Sequence, residues 1–195
     1  MLFKNLTLKK NVVLQVSLAE VHLPVKMGHR DAEETFVTPL TAQMAAAGLG
    51  TVMETSVESF GNAQVRGIDL YLGLTDASRD GLQTVAGMLE HLSAPCGSSI
   101  RLSESVSDPL IFGRAEGLEL SLDRRLTTSE KARRDFSQVC RDALANLAVS
   151  RGWTQDQDRT LFYFYGNDLA GMRDSLARVL ENHPKYQGAM FRRLA

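Results

Sequence analysis

The chain has 195 residues, of which 44% are hydrophobic and 23% charged. That is enough apolar material for one large or two small globular domains without help from metal or disulfides. The formal net charge is −1, with 8 Lys+Arg against 11 Asp+Glu in residues 1–104 and 14 against 12 in the remainder, so no polyanion-binding surface is implied by charge.

From the N-terminus, Val12, Leu14, Val16 and Leu18 alternate with Val13, Gln15, Ser17 and Ala19, the period of a strand with one buried face. Lys4, Lys9 and Lys10 precede this stretch, but Gln15, Ser17 and Glu20 interrupt it and no small-residue cleavage site follows, so a strand is expected in place of a signal peptide. A polar loop is expected over Lys26 to Asp31. Phe36, Leu40, Met44 and Ala47 then recur at helical spacing, with Pro39 in the first turn and Gly48 and Gly50 closing the helix.

Thr51 to Ser59 reads as a strand with Met53, Thr55 and Val57 on one face and Glu54, Ser56 and Glu58 on the other. Gly61-Asn62 turns the chain into Val65 to Leu74, whose buried face is Ile68, Leu70, Leu72 and Leu74, with Asp69 and Tyr71 opposite. A helix follows, with Leu82, Val85, Met88, Leu89 and Leu92 as its apolar stripe, then the turn Pro95-Cys96-Gly97 and a short closing strand at Ile100 to Leu102. The order β-α-β-β-α-β is that of a ferredoxin-like unit. Ser103 to Pro109 is the expected linker.

The second half opens with Leu110-Ile111-Phe112, turns over Gly113 to Gly117, and continues as a strand in which Leu118, Leu120 and Leu122 alternate with Glu119, Ser121 and Asp123. Thr127 and Glu130 have capping-box spacing before a long helix, with Phe136, Val139, Cys140, Ala143, Leu144 and Leu147 on its buried side and Gly152 as its stop. The aromatic strand Leu161 to Gly166, a helix from Leu169 to Leu180, and a strand at Ala189 to Leu194 complete it. The strand–turn–helix at Ile68 to Leu92 thus recurs at Leu161 to Leu180, and a shift of 91 positions aligns Val85, Met88, Leu89 and Glu90 with Leu176, Val179, Leu180 and Glu181. The expected fold is therefore α+β, two ferredoxin-like halves over 1–104 and 105–195, with antiparallel sheets covered by helices and an imperfect internal duplication.

Most familiar chemistry is excluded. Gly48-Leu49-Gly50-Thr51 follows a helix, where carbonyls point outward, and no Gly-Lys-Ser/Thr follows it, so it is not a phosphate loop. Cys96 sits past a helix C-terminus, whose field disfavours a thiolate, and no histidine is tied to it by spacing. Cys140 lies on an apolar helical face. Two distant cysteines make neither a disulfide framework nor a zinc site and suit a reducing cytosol. His22, His29, His91 and His183 are scattered with no i,i+4 pair, and there is no Gly-x-Ser-x-Gly elbow. Lys131, Arg133 and Arg134 read as a solvated helix face. Tyr163 and Tyr165 share one strand face and Phe162 and Phe164 the other, which implies a central strand covered on both sides or one face buried in an interface between the halves. The glycine–aromatic signature with interleaved basic residues that an RNA-stacking sheet needs is absent. Neither metal nor cofactor is expected, and neither nucleic acid nor membrane as partner, since no run approaches bilayer-spanning length.

One constellation remains: Glu54, Glu58, Asp69 and Tyr71, which alternation places together on the non-core face of one hairpin. Such a face is suited to a basic partner surface, or to acid–base chemistry if the carboxylates converge in a pocket.

Gly48-Leu49-Gly50-Thr51-Val52, Gly67-Ile68-Asp69-Leu70 and Leu89 through Ser98, followed by Leu161 to Gly166, Met172 and His183-Pro184, are similar to a bacterial family of small cytoplasmic proteins. In that family a Gly-x-Gly-x-Val strand, a Cys-Asp-Ile strand, a Gly-Ala-Pro-Lys-Gly-Ser turn and a Leu-Tyr-Phe-Tyr-Gly strand recur. Gly67 replaces its Cys, Cys96 its Lys and Ser93 its Gly. The resemblance implies a cytoplasmic protein associated with immunity to bacterial toxins, and it carries over no catalytic residue. The functional expectation is a non-catalytic protein-binding module inhibiting a cognate toxin by occlusion through Glu54, Glu58, Asp69 and Tyr71. The alternative is a small-molecule binder with an apolar cleft between the halves, lined by Tyr163, Tyr165 or their neighbours. A homo-oligomer formed through an exposed sheet edge is also open.

Overall fold

The computed structural model describes residues 16–27, 29–60 and 64–194, with residues 29, 30, 58–60 and 64–66 described as backbone only. Val12, Leu14 and the Gly61-Asn62 turn lie outside the described residues.

Two antiparallel sheets form. The first contains β1 (Ser17–Leu23), β2 (Gly50–Phe60), β3 (Gln64–Leu74), β4 (Ser98–Leu102) and β5 (Leu110–Phe112), in the spatial order β2-β3-β1-β4-β5. The second contains β6 (Glu116–Asp123), β7 (Ala148–Gln155), β8 (Arg159–Gly166) and β9 (Met190–Arg193), in the order β7-β8-β6-β9. Between β1 and β2 run α1 (His29–Ala32), a π-helical turn (Glu33–Val37) and α2 (Thr38–Ala46); α3 (Arg79–His91) precedes β4. The second unit has α4 (Glu130–Ala143) and α5 (Leu169–Glu181) in the equivalent places. Both units are βαββαβ, and within each the second, third, first and fourth strands lie side by side in that order. The duplication is imperfect because only the first sheet carries an added edge strand.

That strand is Leu110–Phe112. The sequence groups it with the second half, but it pairs with β4 through Ser98↔Phe112 and Ile100↔Leu110. The strand that completes the second unit is β7, where sequence periodicity shows none. Gly152, expected to stop the preceding helix, sits inside β7 at φ 88, in a bulge between Ser150 and Trp153. The bulge breaks the alternation by which a strand is recognised. The helix itself ends earlier, with Leu144 as C-cap.

Other local expectations shift for equally specific reasons. In β1 the buried residues are Ala19, Val21 and Leu23, whereas Val16 and Leu18 are about half exposed. The residues expected to form a polar loop after Lys26 instead begin helix at His29. The π turn then absorbs Pro39: Thr38 N–H donates to the Glu33 carbonyl five residues back, so the helix passes the proline without one of the usual i−4 bonds. Ala47 is exposed. Met53 is 60% exposed, because a bulge between Val52 and Glu54 turns it outward and leaves Val52 on the core side. Ser129, not Thr127, caps α4, accepting from Ala132 N–H. Thr127 is buried, its hydroxyl 2.7 Å from that of Thr160. Val139 is exposed on α4, while Phe136 and Cys140 are buried.

The repeat registers at its helix caps. Ser78 accepts from Gly81 N–H and Asp168 from Gly171 N–H, so both cap and glycine advance by 90 positions, one fewer than the sequence alignment suggests.

Each unit has its own apolar cluster. Ile68, Leu70 and Leu72 of β3 pack with Phe36, Leu40, Val85 and Leu89. Phe162 and Phe164 of β8 pack with Phe136, Met172 and Leu176, Phe136 meeting Phe162 edge-on at 4.9 Å. The opposite face of β8, Leu161, Tyr163 and Tyr165, belongs to the first unit's cluster. Tyr165 Oη accepts from Lys26 N–H at 2.9 Å, and the Arg151 guanidinium donates to Thr35 Oγ1 and to the Leu92 carbonyl. The central strands β6 and β8 of the second sheet are thereby buried on both faces. Among the described residues no helix is long and apolar enough to cross a membrane.

Candidate functional site

Among the described residues no helix covers one face of the first sheet, and strand register arranges that face in rows. One row runs Glu54–Tyr71–Glu20–Arg101 across β2, β3, β1 and β4, and the next runs Ser56–Asp69–His22–Ser99. The rows are bonded laterally. His22 Nδ1 lies 2.8 Å from Asp69 Oδ1, and Arg101 donates to Glu20 Oε2 through Nε at 2.9 Å and Nη2 at 2.5 Å. Tyr71 lies among Glu20, Asp69 and Glu54. Its phenol is pushed above its ordinary value, first by loss of hydration and then by those three carboxylates.

Of the residues selected from sequence, Glu54, Asp69 and Tyr71 are therefore brought together. Glu58 pairs with Gly67 in the ladder, and its side chain lies outside the described residues. The sequence misses His22, Glu20 and Arg101, whose partners come from strands remote in the chain. Gly67 is the one local sign of His22: a Cβ at that position would sit 2.7 Å from His22 Cε1. Any side chain at that position would meet the ring, so the glycine is what lets the imidazole lie against the sheet.

At the end of the rows the face turns apolar. Leu18 stands opposite Gly73, and Met53, Leu18 and Val16 are each at least half exposed. A Cβ at Gly73 would be 3.0 Å from Met53 Sδ and 4.0 Å from Val16 Cβ, so Met53 and Val16 gather over a glycine that provides a shallow seat.

Asp69, His22 and Ser99 have the residue types of a nucleophilic triad and stand side by side. Ser99 makes no hydrogen bond to the ring. Its strand is laddered on both sides, to β1 and to β5, which occupies the backbone N–H groups that an oxyanion site would need.

The remaining sequence candidates are structural. Lys131 and Arg134 pair with Asp135 and Glu130 one turn away on α4, a solvated face. Burial pushes the Cys140 thiol up to about 12, leaving it inert. Among the described residues no group of three or more His, Cys, Asp or Glu could hold a metal ion.

Tyr163 and Tyr165, the residues expected to line an apolar cleft, are each 1% exposed and pack into the first unit's apolar cluster. A cleft of about 380 Å³ does lie between the units, but polar side chains line it, Asp31, Glu34, Arg141 and Arg151 among them.

No family model matches the chain and no curated protein matches it. Among solved structures it is similar to an unknown protein from Galdieria sulphuraria, at 14% identity over 92% of this chain and 98% of that one, with a TM-score of 0.33. It is also similar to the regulatory subunit of aspartate kinase from Thermus flavus, at 13% identity over 84% of this chain and 94% of that one, with a TM-score of 0.28. The first two RRM domains of yeast poly(U) binding protein match at 8% identity over 91% of this chain and 99% of that one, with a TM-score of 0.27. Likenesses this loose transfer nothing to the chain, and its fold rests on its own strand order.

Proposed function

We propose that the chain is a non-catalytic binding protein whose open sheet face docks on another protein. The observation that supports this most is the composition of that face: exposed Met53, Leu18 and Val16 flanked by Glu54, Glu20 and Asp69. An apolar patch beside charged rows is the make-up of a protein interface, with burial supplying affinity and the rim supplying orientation. Glu54 adds a carboxylate beyond those that Arg101 and His22 already engage, which favours a partner with a basic rim. The lateral pairs His22–Asp69 and Arg101–Glu20 hold the rows in place before binding, so little side-chain order is lost on association. In its sharpest form the partner is a cognate bacterial toxin covered at its working site. That version draws its support from the family resemblance and from the carboxylate rim.

The test is affinity capture from lysate of the source organism, using the full chain, Met53→Asp, and the double variant Glu54→Lys/Asp69→Lys, with Glu181→Lys on α5 as a remote control. A partner held by the parent and the control, with affinity at least about tenfold weaker in both face variants, supports the reading. A partner held equally by all four sinks it.

A further inference from the structure

The cleft between the units has a floor and a rim of different chemistry. Its floor is formed where the β7 bulge meets α4. The bulge lifts Arg151 out of the ladder between Ser150 and Trp153, and Gly152, at φ 88, supplies the left-handed backbone that the excursion needs. Arg151 then stacks over the Phe36 ring at 5.4 Å and donates to Thr35 and Leu92, so it belongs to both units. Burial lowers its pKa, the sign of a guanidinium removed from water.

Buried polar groups are nearly always hydrogen-bonded, and each exception calls for an explanation. Four side-chain atoms among the described residues are buried without a partner, and three of them belong to residues that form the wall of this cleft: Ser137 Oγ, Ser150 Oγ and Arg151 Nε. Ser137 is 1% exposed. Three unmet hydrogen-bonding groups of two elements therefore sit in the wall of one hollow. A ligand carrying acceptors, with a small shift of the wall side chains, would offer them partners.

The rim adds charge of both signs. Asp31 and Glu34 come from the first helical run and Arg141 from α4, all exposed. With Arg151 below, the lining holds two carboxylates and two guanidiniums. A ligand that is only anionic would meet Asp31 and Glu34, and one that is only cationic would meet Arg141 and Arg151. A ligand bearing both charges satisfies both sets. The volume of about 380 Å³ falls at the small end of ligand sites, which begin near about 300 Å³.

We propose that this cleft binds a small zwitterion of the free amino acid class, its carboxylate toward Arg151, Ser137 and Ser150 and its ammonium toward Asp31 and Glu34. The site shares no residue with the open sheet face, so the two readings stand or fall separately.

The experiment is thermal unfolding and calorimetric titration of the full chain with each proteinogenic amino acid, with succinate and putrescine as single-sign controls, repeated on Ser137→Ala and Asp31→Asn. At least one amino acid is expected to raise the melting temperature by about 3 °C or more at saturating concentration, with neither control doing so. Ser137→Ala removes a hydroxyl that has no partner, so the unliganded variant should melt no lower than the parent while binding about tenfold more weakly. Asp31→Asn should bind about tenfold more weakly with its unliganded melting unchanged. The proposal is overturned if no amino acid shifts the melting temperature, if succinate or putrescine matches the best amino acid, or if both variants bind as tightly as the parent.

Discussion

In β3 the residues turned away from the unit's own helices are Asp69 and Tyr71; in β8 they are Tyr163 and Tyr165. The two strands hold the same place in the same strand order, yet one face meets solvent and the other meets the neighbouring unit. The difference shows how a duplicated unit divides labour. A ferredoxin-like sheet has one face without helices. When two such units join, one of those faces can be used up in the junction and the other is left for a partner. Tyrosine suits the used face because its ring fills the junction while its hydroxyl still finds a bond, Tyr165 with Lys26 N–H and Tyr163 with Thr154 Oγ1 at 2.6 Å.

The comparison breaks most sharply under truncation. Tyr163→Ala or Tyr165→Ala should cost about 3–5 kcal/mol in urea unfolding, whereas Tyr71→Ala should cost about 1 kcal/mol or less. Equal costs would mean that the two faces are not differently buried. Alkaline titration sharpens the contrast next. Burial pushes the Tyr165 phenol from 10.0 up to about 12. Below pH 10 it is neutral in both folded and unfolded chains. Between pH 10 and 12 the unfolded chain loses the proton and the folded chain keeps it. Stability should therefore fall with rising pH by up to roughly 3 kcal/mol and level off above that window. In Tyr165→Phe this part of the decline should vanish, measured as unfolding free energy against pH. A smaller effect than either tyrosine contrast is expected from Gly67→Ala on the open face. The added methyl must displace the His22 ring, at about 1–2 kcal/mol, and imidazole NMR should report loss of the Asp69 bond. An unmoved His22 signal would refute the steric role given to Gly67.

The β2–β3 hairpin was legible because its two strands are adjacent in the chain and β3 alternates cleanly from Ile68 to Leu74. This was enough to put Glu54, Asp69 and Tyr71 on one face. His22 was not legible as part of that group, since it reaches Asp69 from 47 residues away and no local pattern carries such a pairing. The bulges hid the rest. One extra residue reverses the facing of every residue beyond it, which is why Met53 was expected inside and β7 was missed. The cleft was invisible because Asp31, Ser137 and Arg151 come from three separate segments, each unremarkable alone.

By itself the sequence determined the α+β class, the repeated strand–turn–helix, the helix stops at Gly48 and near Pro95, and the double-sided burial of β8. These follow from periodicity and turn chemistry, which act over a few residues. The tertiary structure alone decided that both units share one strand order, that Leu110–Phe112 joins the first sheet, that His22 and Arg101 complete the open face, and that unsatisfied polar atoms gather between the units. Those depend on register and packing between distant segments, where small local shifts decide which side chains meet.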